Sequence, residues 1–218
     1  MVGNLLVTLF FLTGAVIFAV IGFRFNQSSN KSFKHFGFGL FSFAASFLIW
    51  AGIVATQPGA LELWMSIGVL PFVAGFIFLV SAATFDWNAQ NRNLIFGFAA
   101  AFLVVLFVLR TWILPSAPSF SDAGLIYFNA QPLVLLLYVL VFAGGFMPAV
   151  HVVTRQIGDR LLAALTRIFF NIVVLSGVIL MVASDENLQY LNGFVMLAGF
   201  YGLLVIYLPK SASAKLNA

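Results

Sequence analysis

Residues 36–56 read FGFGLFSFAASFLIWAGIVAT and contain no charged side chain. An α-helix of this length, rising about 1.5 Å per residue, crosses a hydrocarbon core of about 30 Å. The stretch ends at Gln57, Pro58 and Gly59, a combination typical of a turn. The sequence therefore predicts a transmembrane helix at this position.

Comparable apolar stretches lie on both sides of it. Together the predicted spans cover residues 4–23, 36–56, 63–84, 94–114, 131–153, 161–183 and 188–208. No basic segment precedes the first span and Arg24 follows it directly, which favours a retained helix over a cleaved signal peptide. We predict an all-α integral membrane bundle of seven transmembrane helices. It forms one domain at 1–209, followed by a short cytoplasmic tail at 210–218.

The composition agrees with a membrane protein. Of the 218 residues, 63% are hydrophobic and 7% are charged, whereas about a quarter of a soluble domain is charged. The chain has no cysteine, which excludes disulfides, thiolate metal sites, iron–sulfur clusters and cysteine nucleophiles. The net charge of +4 arises from loop residues, which suit anionic headgroups rather than nucleic acid.

Loop charges predict the orientation of the chain. With seven crossings, the basic loop and tail residues share one face: Arg24, Lys31, Lys34, Arg92, Arg155, Arg160, Lys210 and Lys215. The opposite face carries Glu62, Asp122, Asp185 and Glu186. Because loops rich in Lys and Arg stay in the cytoplasm, we expect the N-terminus outside and the C-terminus inside a cell membrane. Asn30 and Gln156 would then be cytoplasmic.

Arg110 is the candidate ligand-binding residue near the outer end of the fourth span. Facing the bundle, it would offer a fixed positive charge to an anionic ligand or pair with Glu62, Asp122 or Asp185. Facing lipid, its long side chain would reach the outer headgroups. The position near the membrane interface favours this second placement, in which Arg110 has no specific role.

Arg167 and Asn171 form a second candidate site, on the inner half of the sixth span. Their separation of four residues places them on the same face of a helix. They could line a polar pocket that opens to the cytoplasm. The favoured alternative is that Asn171 joins two helices through an interhelical hydrogen bond.

The two histidines, His35 and His151, are predicted at the cytoplasmic ends of their spans. A pair at matched depth could ligate a haem or a metal through imidazole nitrogens. Each histidine stands close to basic residues, so an interfacial pair without a ligand is the favoured interpretation. The sequence identifies no cofactor.

Phenylalanine is abundant, with 27 residues. Phe43, Phe47 and Trp50 recur at helical spacing on the second span. Such a stripe could hold a carotenoid, a quinone or a sterol-like ligand, but it more commonly packs against neighbouring helices or lipid. Small residues predict close helix packing at Gly37, Gly39, Ser42, Ser46, Gly193, Gly199 and Gly202.

The fifth span is expected to bend near Pro148, which follows Gly144 and Gly145. Proline cannot donate a backbone hydrogen bond, and its ring crowds the carbonyl one turn earlier.

No predicted span holds a carboxylate at mid-depth, as ion-coupled transport commonly requires. A Ser/His/Asp set, an HExxH motif and paired carboxylates within the membrane are also missing, so we expect no enzyme activity. Two functions remain open. The first is a sensory or accessory module that binds a lipophilic ligand or a partner membrane protein, including a second copy. The second is a small permease for a neutral or weakly anionic solute.

Overall fold

The computed structural model describes residues 2–57, 59, 61–115, 117–121, 125–127, 129, 131–183 and 185–209. Within them, seven helices are long and apolar enough to cross a membrane, which confirms the predicted all-α bundle. Asp122, Lys210 and Lys215 lie outside the described residues.

The spans are numbered 1 to 7 in chain order. Span 1 is Val2–Asn26, span 2 Lys31–Thr56 and span 3 Leu61–Ala83; span 4 joins Ala89–Val108 to a π-helical turn at Leu109–Ile113. Span 5 consists of Pro132–Val139, a π-helical segment at Leu140–Phe146, and Met147–Thr154; span 6 is Arg160–Val182 and span 7 Glu186–Tyr207.

Two spans begin before their apolar stretches, because asparagine caps precede them. The side chain of Asn30 accepts a hydrogen bond from the backbone of Ser32, so span 2 starts at Lys31. Asn88 accepts one from the backbone of Asn91 at the start of span 4. Each cap satisfies a backbone N–H that a helix start leaves without a partner.

Span 5 changes its helical register just before Pro148. The π-helical segment ends at Phe146, and Pro148 lies in the first turn of the following α-helix. The sequence predicted a bend near Pro148, and the structure has a π-helical segment directly before this residue. A π-helical segment places an extra residue in the helix without ending it.

A short β-hairpin lies between spans 4 and 5, where the sequence suggested only a loop. Strands β1 (Ser119–Phe120) and β2 (Ile126–Tyr127) pair antiparallel, with Ser119 opposite Tyr127. The side chain of Asn129 donates to the carbonyl of Ala117 at 2.9 Å and thereby ties the two ends of the hairpin together.

Spans 1, 2, 3, 5, 6 and 7 surround a core rich in phenylalanine. Span 1 packs against both span 2 and span 7, so these helices close around the core. Span 4 packs mainly on span 3 and carries exposed apolar side chains such as Phe98 and Val104.

Small residues set the closest helix contacts. A Cβ added to Gly37 would lie 2.7 Å from the carbonyl oxygen of Gly22 on span 1. One added to Gly199 would lie 2.9 Å from Val173 on span 6. Close contact is confirmed at Gly37, Gly39, Ser46, Gly199 and Gly202. It is wrong for Gly193, which has open space beside it, and for Ser42, which bonds within its own helix.

The two ends of the bundle differ in character. At one end, which we call the basic face, the Arg24 guanidinium donates to the carbonyl of Leu208 at 2.9 Å. At the same end, Gln156 accepts from the Asn30 side chain and donates to Asp86, each at 3.1 Å, which links three loops. The basic loop residues of the described chain therefore share one end, as predicted. We call the opposite end the hairpin face.

Candidate functional site

A cavity of about 180 Å³ lies in the half of the bundle that is nearer the hairpin face. Six spans and the hairpin contribute to its wall, while span 4 does not. The stripe that the sequence singles out, Phe43, Phe47 and Trp50, lies on this wall. Those three side chains are at most 6% exposed, so the stripe faces the cavity and the core rather than lipid.

Aromatic rings hold the wall together through edge contacts. Phe18 meets Phe200 with ring centroids 5.0 Å apart at 88°, and Phe47 with centroids 5.5 Å apart at 87°. On the other side, Phe72 meets Phe142 in a tilted contact, with ring centroids 5.4 Å apart at 50°. Edge-to-face contact places the positive rim of one ring on the negative face of another. The wall is therefore packed by ring contacts and almost wholly apolar.

The few polar groups of the cavity lie toward the hairpin face, at the start of span 7. Gln189 and Tyr190 both line the cavity. The Gln189 side chain donates to the carbonyl of Ala183 at 2.7 Å and so fixes the turn between spans 6 and 7. One turn further along, Asn192 donates to the carbonyl of Ser176 at 2.7 Å. A bound molecule would thus meet polar groups at one end only.

The hairpin covers this end of the cavity. Leu125 and Ile126 are buried and contribute to the wall. The next residue, Tyr127, stands close to Glu186 at the start of span 7. Loss of hydration and the carboxylates of Glu186 and Asp185 raise the pKa of Tyr127 above its ordinary value. The phenol therefore stays protonated at neutral pH and can donate to Glu186.

The Arg110 side chain points into the protein and not toward lipid, so the favoured expectation for it is wrong. Its side chain is only 4% exposed, and its Nη1 atom is buried without a hydrogen-bond partner among the described residues. The reason is its position on the π-helical turn, on the side of span 4 that faces the protein. Its charge acts on the hydroxyl of Tyr138 on span 5. Asp122, one of the suggested partners, lies outside the described residues.

The suggested carboxylate partners that the structure describes have other surroundings. The side chain of Asp185 caps span 7 by accepting from the backbone of Leu188 at 2.8 Å. Glu186 stands beside Tyr127, and Glu62 is exposed. None of the three pairs with Arg110.

Arg167 and Asn171 form no common site. The Arg167 Nε donates to the carbonyl of Ala163 at 3.2 Å, and its Nη1 lies 3.4 Å from His151 Nδ1 on span 5. Asn171 Oδ1 is buried without a hydrogen-bond partner in the described chain. The expected interhelical bond is made by Asn192 instead of Asn171.

The two histidines have separate neighbours. His35 Nδ1 lies 2.8 Å from the Ser81 hydroxyl on span 3, and its ring packs near Phe85. His151 contacts Arg167 on span 6. Across the described residues, no group of three or more His, Cys, Asp or Glu side chains could hold a metal ion.

Sequence reasoning found the aromatic stripe but missed the cavity, the hairpin over it and the buried state of Arg110. A repeat of apolar residues shows which side of a helix is apolar. It does not show where the apolar sides of neighbouring helices leave a cavity between them. No protein-family model matches the sequence and no curated protein is detectably similar to it, so the function of this chain is inferred from its own residues.

Proposed function

We propose that the protein is a non-enzymatic, multi-pass membrane protein that binds a lipophilic ligand in the cavity beneath the hairpin. The observation that carries this proposal is the apolar cavity of about 180 Å³ in an otherwise ring-packed core. The cavity is open at one side, because Phe194 on its wall is 68% exposed. A preformed apolar cavity with polar groups at one end is the usual form of a small-molecule site.

The volume indicates what would fit. An engineered apolar cavity of about 150 Å³ in another protein takes up benzene. One aromatic ring, or a short part of an acyl or isoprenoid chain, therefore matches this cavity. A polar substituent of the ligand would lie near Gln189 and Tyr190, which stand at the hairpin end of the wall. A sensory or accessory module of this kind would pass ligand occupancy to a partner membrane protein through its lipid-facing surface.

The membrane and orientation form part of the same proposal. The basic face would lie in the cytoplasm, because basic residues gather there and loops rich in Lys and Arg are retained inside. The hairpin and the cavity beneath it would then belong to the outer half of a cell membrane. A ligand would enter from the outer leaflet or from outside the cell.

A permease for a weakly anionic solute is the second candidate, and buried Arg110 favours it. A buried cation that pairs with no carboxylate of the described residues would attract an anion on its way across. Uptake of radiolabelled acetate into proteoliposomes distinguishes the two functions. A ligand-binding module gives the same flux as empty liposomes, whereas a permease gives saturable uptake.

The test of ligand binding fills the cavity with a side chain. Gly193 lines the cavity, and a Cβ added to it meets no atom within 4 Å. Gly193→Leu should therefore occupy the space without a clash. Gly144→Leu is the matched control, because Gly144 also has open space beside it but lies outside the cavity wall. Toluene, a molecule with one ring, serves as the probe for all three proteins in dodecyl maltoside.

We expect toluene to raise the melting temperature of wild type and Gly144→Leu by several degrees, since a ligand that binds only the folded state stabilises it. Gly193→Leu should show no such rise. Organic extraction followed by mass spectrometry should recover a lipophilic compound from the first two proteins and much less from the third. Equal responses in all three would contradict the proposal.

A further inference from the structure

Arg110 carries a buried positive charge and lies outside the cavity wall. The guanidinium lies on span 4, which contributes nothing to the cavity wall. Its side chain is 4% exposed, and Nη1 has no hydrogen-bond partner among the described residues. A guanidinium carries five N–H donors and remains charged at any physiological pH. A buried charge without a compensating partner is strongly unfavourable.

The neighbouring residue presents a similar group. Thr111 Oγ1 is also buried without a hydrogen-bond partner in the described chain. Both residues belong to the π-helical turn at Leu109–Ile113. Single π-helical turns inside α-helices occur frequently at functional sites. Two adjacent buried donors that lack acceptors among the described residues, on an irregular turn, fit an acceptor supplied from outside the chain.

The depth of the turn suggests where this acceptor comes from. Trp112, which follows Thr111 on the same turn, is 73% exposed. Tryptophan is enriched where the hydrocarbon core meets the headgroups. The turn also ends span 4 at the hairpin face. Arg110 therefore lies at the level of lipid phosphates and carboxylates, although its side chain points into the protein.

We propose that Arg110 and Thr111 form a binding site for an oxyanion. The ligand would be a phosphate or carboxylate group, held by charge-assisted hydrogen bonds from the guanidinium and by the threonine hydroxyl. The headgroup of an anionic lipid and a small soluble anion share this chemistry. The site is separate from the cavity, so it stands whether or not the cavity binds a lipophilic ligand.

The experiment measures the melting temperature of the full chain in dodecyl maltoside, which carries no charge. Sodium acetate and sodium phosphate are titrated as soluble oxyanions, and dimyristoyl-phosphatidylglycerol as an anionic lipid. Ionic strength is held constant with sodium chloride. The variants are Arg110→Gln, Arg110→Lys and Thr111→Val. Arg160→Gln is the matched control, because Arg160 is an exposed arginine at the opposite, basic face.

At least one probe should stabilise wild type and Arg160→Gln in a saturable way. Arg110→Gln and Arg110→Lys should each weaken the apparent affinity about tenfold, the effect of losing a hydrogen bond to a charged group. Thr111→Val should weaken it by a smaller factor. A response to acetate or phosphate assigns a soluble anion, and a response to the phospholipid alone assigns a headgroup.

Stability without any probe gives an independent readout. Arg110→Gln removes a buried charge that has no partner among the described residues, so its melting temperature should equal or exceed that of wild type. The proposal is overturned if no probe stabilises the wild type, or if both Arg110 variants respond as wild type does. A large loss of stability in probe-free Arg110→Gln would also overturn it, because the guanidinium would then be paired within the chain.

Discussion

Gly22 and Gly37 show how much one methyl group matters in this bundle. The Cβ positions of the two residues point at each other's carbonyl oxygens, at 2.9 and 2.7 Å, so spans 1 and 2 touch through their backbones. Lipid tails are as apolar as leucine, and helices in a bilayer associate through such close packing rather than by escape from water.

Gly37→Ala should therefore destabilise the protein by about 1 to 3 kcal/mol, the usual cost of overpacking, because a backbone carbonyl cannot move aside cheaply. Gly52→Ala on the same span is the control, since its Cβ meets nothing within 4 Å. Melting in dodecyl maltoside measures both. Equal melting temperatures for the two variants would show that the spans can separate freely at Gly37.

For single residues, the sequence predicted roles that follow from side-chain size or spacing. It did not predict which other side chains a residue contacts. The close-packing role of Gly37 followed from its small size, and the aromatic stripe from its helical spacing. The burial of Arg110 could not be predicted, because span 4 is apolar on all sides and hydropathy does not show which side packs against the rest of the bundle. The contact between His151 and Arg167 joins two spans and likewise has no local pattern.

Span 5 lines the cavity through a π-helical segment. Its π-helical segment, Leu140–Phe146, carries two residues of the cavity wall, Phe142 and Phe146. Because a π-helical segment accommodates one residue more than an α-helix would, removing one residue should restore the regular register and leave both flanking helices facing as before.

Deletion of Gly144, which is exposed on this segment, should thus be tolerated, with a melting temperature within about 4 °C of wild type, about 1 kcal/mol at this size. Deletion of Ala45 on span 2 is the contrasting case, because Ala45 is also exposed but lies in a regular α-helix. There the remainder of the span rotates by about 100° and removes Phe47 and Trp50 from the core. If both deletions unfold the protein, the segment holds no spare residue.

The elements were predicted well because hydropathy and length define a membrane span almost completely. The largest errors are the starts of spans 2 and 4, which hydropathy set five residues too late in each case. The capping residues Asn30 and Asn88 carried the missing information. The sequence did not predict the hairpin, because its two strands of two residues each are too short to show an alternating pattern.

For the molecule as a whole, the untested property is its direction across the membrane. Asn30 and Gln156 are poor reporters, because they are hydrogen-bonded to each other and partly buried. Gly59 at the hairpin face and Gln90 at the basic face are both exposed, and the chain has no cysteine of its own. Single cysteines at these two positions form a matched pair.

In intact cells, a membrane-impermeant maleimide should label Gly59→Cys, whereas Gln90→Cys should react only after the membrane is permeabilised. The reason is that loops rich in Lys and Arg are generally retained in the cytoplasm. Labelling of Gln90→Cys in intact cells, with Gly59→Cys protected, would reverse the proposed orientation. The hairpin and the cavity would then face the cytoplasm.

The ring-filled core also has a consequence for how the protein tolerates change over generations. In the core of a soluble protein, a polar side chain loses its hydration. A polar substitution there costs far more free energy than an exchange between two apolar residues. Here the core contacts between Phe18, Phe43, Phe72 and Phe146 have surroundings as apolar as themselves. Exchanging phenylalanine for leucine changes little in polarity but removes a flat ring that its neighbours are shaped to meet. Inherited variation should therefore be broad on the lipid-facing helix sides and narrow inside, with selection acting on side-chain shape rather than on hydropathy.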